Sequence, residues 1–202
     1  MVIATIERRG FPEGINVLSK GNSPFFIPKS ILIEFNLPFY EDDYEVDEFL
    51  FNQLKHINEC YLCRKKGLDL LARREHSKYE LTMKLKQRKF SSSAINNTIE
   101  YLINKKFLSE QRFCESFINA RLKKGEGRYL IFQKLQQKGV SLSFSQSIYD
   151  EIVEMDDEIN ACIKSLVKIK NKFSDVEIIK NKLSKKGFSY QIIKEALEEK
   201  DS

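Results

Sequence analysis

All four prolines of the chain, Pro12, Pro24, Pro28 and Pro38, fall within its first 38 residues. The 164 positions that follow carry none, and only five glycines: Gly67, Gly125, Gly127, Gly139 and Gly187. Proline lacks a backbone N–H and interrupts helices, and Pro and Gly together mark turns. A proline-free stretch of this length therefore predicts a long helical array and excludes a sandwich or barrel for most of the 202 residues. Fifteen Phe with abundant Ile and Leu supply a core, which excludes a wholly disordered chain.

The proline-bearing leader reads differently. Ile15-Asn16-Val17-Leu18 and Phe25-Phe26-Ile27 have the composition of short strands around the turn Lys20-Gly21-Asn22-Ser23-Pro24, a β-hairpin pattern. Ile31-Leu32-Ile33 fits the opening of a helix or another short strand, since three residues carry no decisive period. An acidic stretch from Glu41 to Glu48 leads into Phe49-Leu50 and Leu54-Ile57 at helical spacing, where its charges complement a helix N-terminus.

Beyond residue 65 the chain repeats. Lys84-Leu85-Lys86-Gln87-Arg88-Lys89-Phe90 aligns with Lys134-Leu135-Gln136-Gln137-Lys138-Gly139-Val140 and with Lys182-Leu183-Ser184-Lys185-Lys186-Gly187-Phe188, so the anchor leucines lie 50 and 48 residues apart. One turn before each anchor sits Leu81, Ile131 or Ile179, and fourteen residues after it Ile99, Tyr149 or Leu197. Between the two lies a break: Gly139 and Gly187 suit a left-handed C-cap, and Ser91, Ser141 and Ser189 suit the next N-cap. Ile95 and Ile193 stand where a hydrophobic staple would meet Phe90 and Phe188, while the second copy has Ser145 there. Ser77-Lys78-Tyr79-Glu80 and Ser174-Asp175-Val176-Glu177 read as capping boxes. An earlier helix in each copy is marked by Leu68 and Leu71, by Phe113, Phe117 and Ala120, and by Ile159, Ile163 and Leu166. The fold class expected is mainly α: three tandem three-helix repeats forming an elongated body able to curve, behind a short leader. The division is a leader over 1–60 and repeats over 61–108, 109–155 and 156–202.

Chemistry-bearing constellations are few. His56, Cys60 and Cys63 share roughly one helix face, but a structural zinc wants four ligands and no fourth is at hand, so buried helix cysteines are the simpler reading. Gly125-Glu126-Gly127 follows no strand and precedes no Gly-Lys-Ser/Thr, so it reads as a junction, one helix ending at Lys123-Lys124 and the next starting at Arg128. His56 and His76 are the only histidines and neither stands in a nucleophile arrangement. No enzyme, cofactor or metal is expected. Residues 1–10 lack the apolar run of a signal peptide and no segment is long enough to span a bilayer, which predicts a cytoplasmic protein with reduced cysteines.

Charge is segregated. Residues 1–60 hold five Lys/Arg against ten Asp/Glu, residues 61–150 nineteen against eight, and residues 151–202 ten against eleven. A centre of net +11 between flanks of −5 and −1 fits a polyanion or an acidic protein surface as partner, and it fits a solvated lysine-rich helix surface as well. Flanking each anchor leucine are Lys84/Arg88, Lys134/Lys138 and Lys182/Lys186, each pair on one helix face offset by about 100° from the anchor. Stacked in register, these pairs would make a broken basic ridge, thickened by Arg73, Arg74, Arg121, Lys123, Lys124 and Arg128. Such a ridge suits contacts to phosphates rather than base reading.

Leu70-Leu71-Ala72-Arg73-Arg74-Glu75-His76-Ser77-Lys78-Tyr79-Glu80-Leu81 resembles the signature of the RecX family, bacterial regulators of the RecA recombinase. Phe113–Gly125 and Gly127–Val140 continue the likeness, which covers roughly residues 65–200. Ser109 and Glu110 replace a frequent aspartate pair, Arg128 a frequent proline, and Cys114 a usual alanine. The resemblance implies tandem three-helix units and a non-enzymatic modulator that binds the RecA filament along its groove, inhibiting filament growth, ATP hydrolysis and strand exchange. It also implies weak contact with single- or double-stranded DNA and no membrane; a monomer is the working expectation. Arg73, Arg74, Lys84, Arg88, Arg121, Lys123, Lys124, Arg128, Lys134 and Lys138 are the partner- or DNA-binding candidates, while His76, Ser77, Glu80 and Leu81 read as framework. The competing readings are a nucleic-acid-binding helical module acting without RecA and a helical adaptor for another protein.

Overall fold

The computed structural model describes residues 4–7, 14–19, 22–37 and 44–201. Helix dominates, and strands are confined to the leader. β1 (Ala4–Glu7), β2 (Gly14–Ser19), β3 (Asn22–Pro28) and β4 (Tyr44–Val46) form one antiparallel sheet in the order β3-β2-β1-β4. The expected hairpin is β2–β3, although Lys20 and Gly21 of its turn lie outside the described residues. β1 and β4 were not expected: four and three residues are too short to show a period. Pro24 and Pro28 both lie on β3, an edge strand, where a missing N–H costs no internal ladder bond. Pro12 and Pro38 lie outside the described residues. Ile31-Leu32-Ile33 belongs to helix α1 (Lys29–Glu34).

The chain divides into two compact units, Met1–Leu70 with Thr82–Phe107, and Leu71–Leu81 with Leu108–Ser202. In the first, Ile6, Ile15, Val17, Ile27 and Val46 of the sheet share a core with Leu32 of α1 and with Phe51, Leu54 and Ile57 of α2 (Glu48–Leu71). Sequence spacing suggested two helices here, one near Phe49–Ile57 and one near Leu68. They are a single 24-residue helix, because Cys60, Cys63 and Gly67 carry the buried face across the interval. The residue 60/61 boundary lies inside it.

After α2 come α3 (Lys78–Lys86) and α4 (Ser92–Asn104); α5 (Glu110–Leu122), α6 (Arg128–Gln137) and α7 (Leu142–Ile152); and α8 (Met155–Lys170), α9 (Val176–Lys185) and α10 (Tyr190–Asp201). Helices therefore recur in threes at the repeat spacing. The anchors Leu85, Leu135 and Leu183 are fully buried, as are Leu81 and Ile131, and Ile179 is nearly so. The second unit builds its core from Phe113, Ile118, Ile131, Leu135, Ile148, Cys162, Leu166 and Leu183 and their neighbours.

Caps follow the sequence closely. Ser91, Ser141 and Ser189 each accept the backbone N–H three residues on, from Ala94, Phe144 and Ile192. Ser145, in place of a staple residue, is buried and donates to the Ser141 carbonyl at 2.8 Å. Ser109, at the departure from the family aspartates, caps α5 through the Arg112 N–H. One cap is displaced: Asp175, not Ser174, starts α9, its carboxylate accepting from the Glu177 and Ile178 N–H groups. A charged acceptor at the N-terminus is the stronger cap and wins over the neighbouring serine. Among the described residues no helix is long and apolar enough to cross a membrane.

Candidate functional site

Five of the ten basic candidates are tied to carboxylates of the chain itself. Arg74 grips Glu80 with both terminal nitrogens, each at 2.9 Å, and Lys138 reaches the same carboxylate at 3.0 Å. Burial alone would raise the Glu80 pKa, but hydrogen bonds from Arg74 and Lys138 override it and hold the group down at about 2. Arg121 and Lys134 share Glu126, at 3.5 and 2.7 Å, and the Arg121 guanidinium lies 4.7 Å from the Phe117 ring centre. Arg128 pairs with Asp150 at 2.7 Å and lies over Tyr149. These cations organise the second unit rather than standing free on a ridge.

The other five are differently placed. Arg73, Lys123 and Lys124 are exposed and make no ion pair among the described residues. Arg88, just past the end of α3, donates to the Lys84 carbonyl at 2.9 Å. In the third copy, Lys182 sits 4.2 Å from the Phe173 ring centre and the Lys186 carbonyl accepts from Gly127 N–H. Arg73, Lys123 and Lys124 therefore keep charges available to an outside partner.

The framework residues hold one middle helix against the next. Ser77 accepts the Glu80 N–H at 3.0 Å and donates to the Lys138 carbonyl at 2.6 Å, so it caps α3 and fastens it to the end of α6. Glu80, read as the second half of a capping box, instead spends its carboxylate on Arg74 and Lys138. The same junction recurs one copy later: Gly127 N–H donates to Lys186 O at 2.8 Å and Tyr129 N–H to Gly187 O at 3.1 Å. Gly139 and Gly187 have φ of +78° and +89°. A Cβ on Gly139 would fall 2.4 Å from Tyr79 Cβ, and one on Gly187 2.3 Å from Leu130 N. Glycine is thus required twice over, by backbone angle and by space. His76, beside Ser77, is buried, with Nδ1 2.9 Å from the Arg74 carbonyl.

All four cysteines are free and buried. Burial pushes the Cys60 thiol up to about 11 and those of Cys114 and Cys162 to about 12, the opposite of a reactive thiolate. His56 Nε2 lies 3.6 Å from Cys60 Sγ, and no third ligand joins them among the described residues.

Sequence reasoning missed Arg64. It is buried on α2 and reaches Glu34, the last residue of α1, and Asn97 of α4, the latter at 2.7 Å. Its guanidinium also stacks 4.2 Å from the Tyr101 ring centre. The available signal was an arginine on the helix face otherwise occupied by Cys60 and Gly67.

Residues 63–102 match the model of the first RecX three-helix domain, and 109–143 that of the second. The regulatory protein RecX of Chlorobium phaeobacteroides is 34% identical over 145 residues, covering 67% of this chain and 93% of the relative. The chain belongs to the RecX family. The RecX of Bacillus licheniformis is 26% identical over 198 residues, 94% of this chain and 73% of that protein. A crystal structure of regulatory protein RecX superposes with a TM-score of 0.75 at 17% identity, covering 98% of this chain and all of the other. The RecX of Lactobacillus salivarius gives 0.60 at 19% identity over 71% of this chain and 97% of its own. Both crystal structures share the fold, and the leader sheet lies within the span covered by the first. The likeness carried by residues 65–200 thus extends to nearly the whole chain.

Proposed function

We propose that this RecX-family chain is a cytoplasmic, non-enzymatic regulator of the RecA recombinase. It binds the RecA–DNA filament and restrains filament growth, ATP hydrolysis and strand exchange. Family membership carries this reading, since the relatives are named regulatory proteins. In it the chain acts as a monomer with repeats over 61–108, 109–155 and 156–202 behind the leader, and Arg73, Lys123 and Lys124 supply charge for encounter and register. The test is to add the protein to RecA assembled on single-stranded DNA and follow ATP hydrolysis together with co-sedimentation. Hydrolysis should fall as the protein joins the filament; unchanged hydrolysis with no binding would overturn the proposal.

The same exposed cations favour a second reading, a nucleic-acid-binding module independent of RecA. Direct phosphate contact predicts firm DNA affinity that falls linearly on a log–log salt plot. Weak DNA binding beside firm filament binding separates the regulator from this alternative.

A further inference from the structure

Between α6, α7, α8 and α10, within the second unit, lies a cavity of about 290 Å³. Its floor holds two buried polar groups, the Glu158 carboxylate and the Tyr149 hydroxyl. The two groups face each other, and apart from that pairing the Tyr149 hydroxyl has no hydrogen-bond partner and a Glu158 oxygen takes a long 3.4 Å contact from Arg128 N–H. The Arg128 side chain, also at the cavity, pairs with Asp150 and lies 5.1 Å from the Tyr149 ring centre, and its charge acts on Glu158 as well. Val153, Met155 and Ile192 supply apolar walls.

We propose that this cavity is a socket for a lysine or arginine side chain of a protein partner. The floor offers acceptors, a carboxylate and a hydroxyl oxygen, which match the N–H donors of an ammonium or guanidinium group. The walls suit the aliphatic stem that carries such a head group. A volume at the lower edge of the small-molecule range fits one side chain better than a cofactor. An anionic group would meet Glu158 with its like charge. Burial holds the Glu158 carboxyl above its ordinary pKa, a desolvation cost that an incoming cation offsets. The inference does not depend on the partner being RecA.

The test uses the full chain, labelled with ¹⁵N, and three probes: Nα-acetyl-arginine N-methylamide, its lysine counterpart, and the norleucine counterpart as a neutral control. The cationic probes should shift the Glu158 and Ile192 amides and bind at least tenfold tighter than the norleucine probe. Glu158→Gln keeps the acceptor for Arg128 N–H and should remove most of that preference. Tyr149→Phe serves as a second variant, weakening the cationic probes several-fold and leaving the norleucine probe unchanged. Absence of shifts, equal binding of the neutral probe, or a preference that survives both substitutions would overturn the proposal.

Discussion

Glu80 sits with 11% of its side chain exposed between Arg74 and Lys138, and its pKa of about 2 against an ordinary 4.5 makes it a source of pH-dependent stability. A carboxylate whose pKa is depressed by folding stabilises the protein above its unfolded value, and the contribution is lost as pH falls through the folded one. At roughly 1.4 kcal/mol per pH unit the ceiling is about 3 kcal/mol, which solvent at the half-exposed cations reduces to about 1–2. Glu80→Gln should therefore lower stability by about 1–2 kcal/mol at pH 7 and flatten the stability profile between pH 4.5 and 2. Urea titrations of both proteins at pH 7 and pH 3 check this, and parallel profiles would count against it. The capping role of Ser77 was legible because a cap is local, within three residues of the N–H it satisfies. The pairing of Glu80 with Lys138, 58 residues away, was not: charge patterns over one helix carry no information about a partner three helices on. Arg64 makes the same point from the buried side. Its Glu34, Asn97 and Tyr101 contacts join α2 to α1 and α4, so Arg64→Ala should cost about 2–4 kcal/mol, and Arg64→Met less because the stem packing survives. Equal losses in chemical denaturation would mean that the polar contacts alone matter and the stem packing contributes nothing.

At the scale of elements, aligned positions differ in backbone compatibility. Gly139 and Gly187 close α6 and α9 at positive φ, and Lys89 closes α3 at φ +63° in the aligned position. The hydrogen bonds agree too: each donates its N–H to the carbonyl three residues back, Lys86, Gln136 or Ser184. A non-glycine residue in this conformation costs about 1–2 kcal/mol, partly offset by the greater unfolded-state freedom of glycine. Lys89→Gly should thus stabilise the protein by about 0.5–1 kcal/mol. Gly139→Ala should destabilise it by about 2–4, since a methyl there also meets Tyr79. Shifts in urea midpoint at constant slope would measure both, and a destabilising Lys89→Gly would contradict the repeat geometry. The helices of the repeats were readable because apolar spacing, serine caps and glycine stops agree on their limits. The leader was less so. β1 and β4 are short, and their pairing depends on strands distant in sequence. The continuity of α2 was hidden because Cys60, Cys63 and Gly67 do not read as a conventional apolar stripe.

For the whole molecule, the excess of +11 over residues 61–150 overstates the charge offered to a partner. Arg74, Lys138, Arg121, Lys134 and Arg128 are engaged with Glu80, Glu126 and Asp150, so reversing their charge would attack the second unit itself. Arg73, Lys123 and Lys124 have no such commitments and can be reversed with little effect on folding. The two classes give opposite signatures. Reversal at Arg73, Lys123 and Lys124 should slow association with the RecA–DNA filament and reduce its dependence on salt, with thermal unfolding unchanged. Reversal at Arg74 or Arg121 should lower the unfolding temperature by several degrees, as expected for a loss of about 1–2 kcal/mol. Association rates at low and moderate salt, measured beside thermal melts, read both effects on the same samples. If the exposed set left association and its salt dependence untouched, charge would have no part in recognition, and the apolar surface would have to supply encounter as well as affinity.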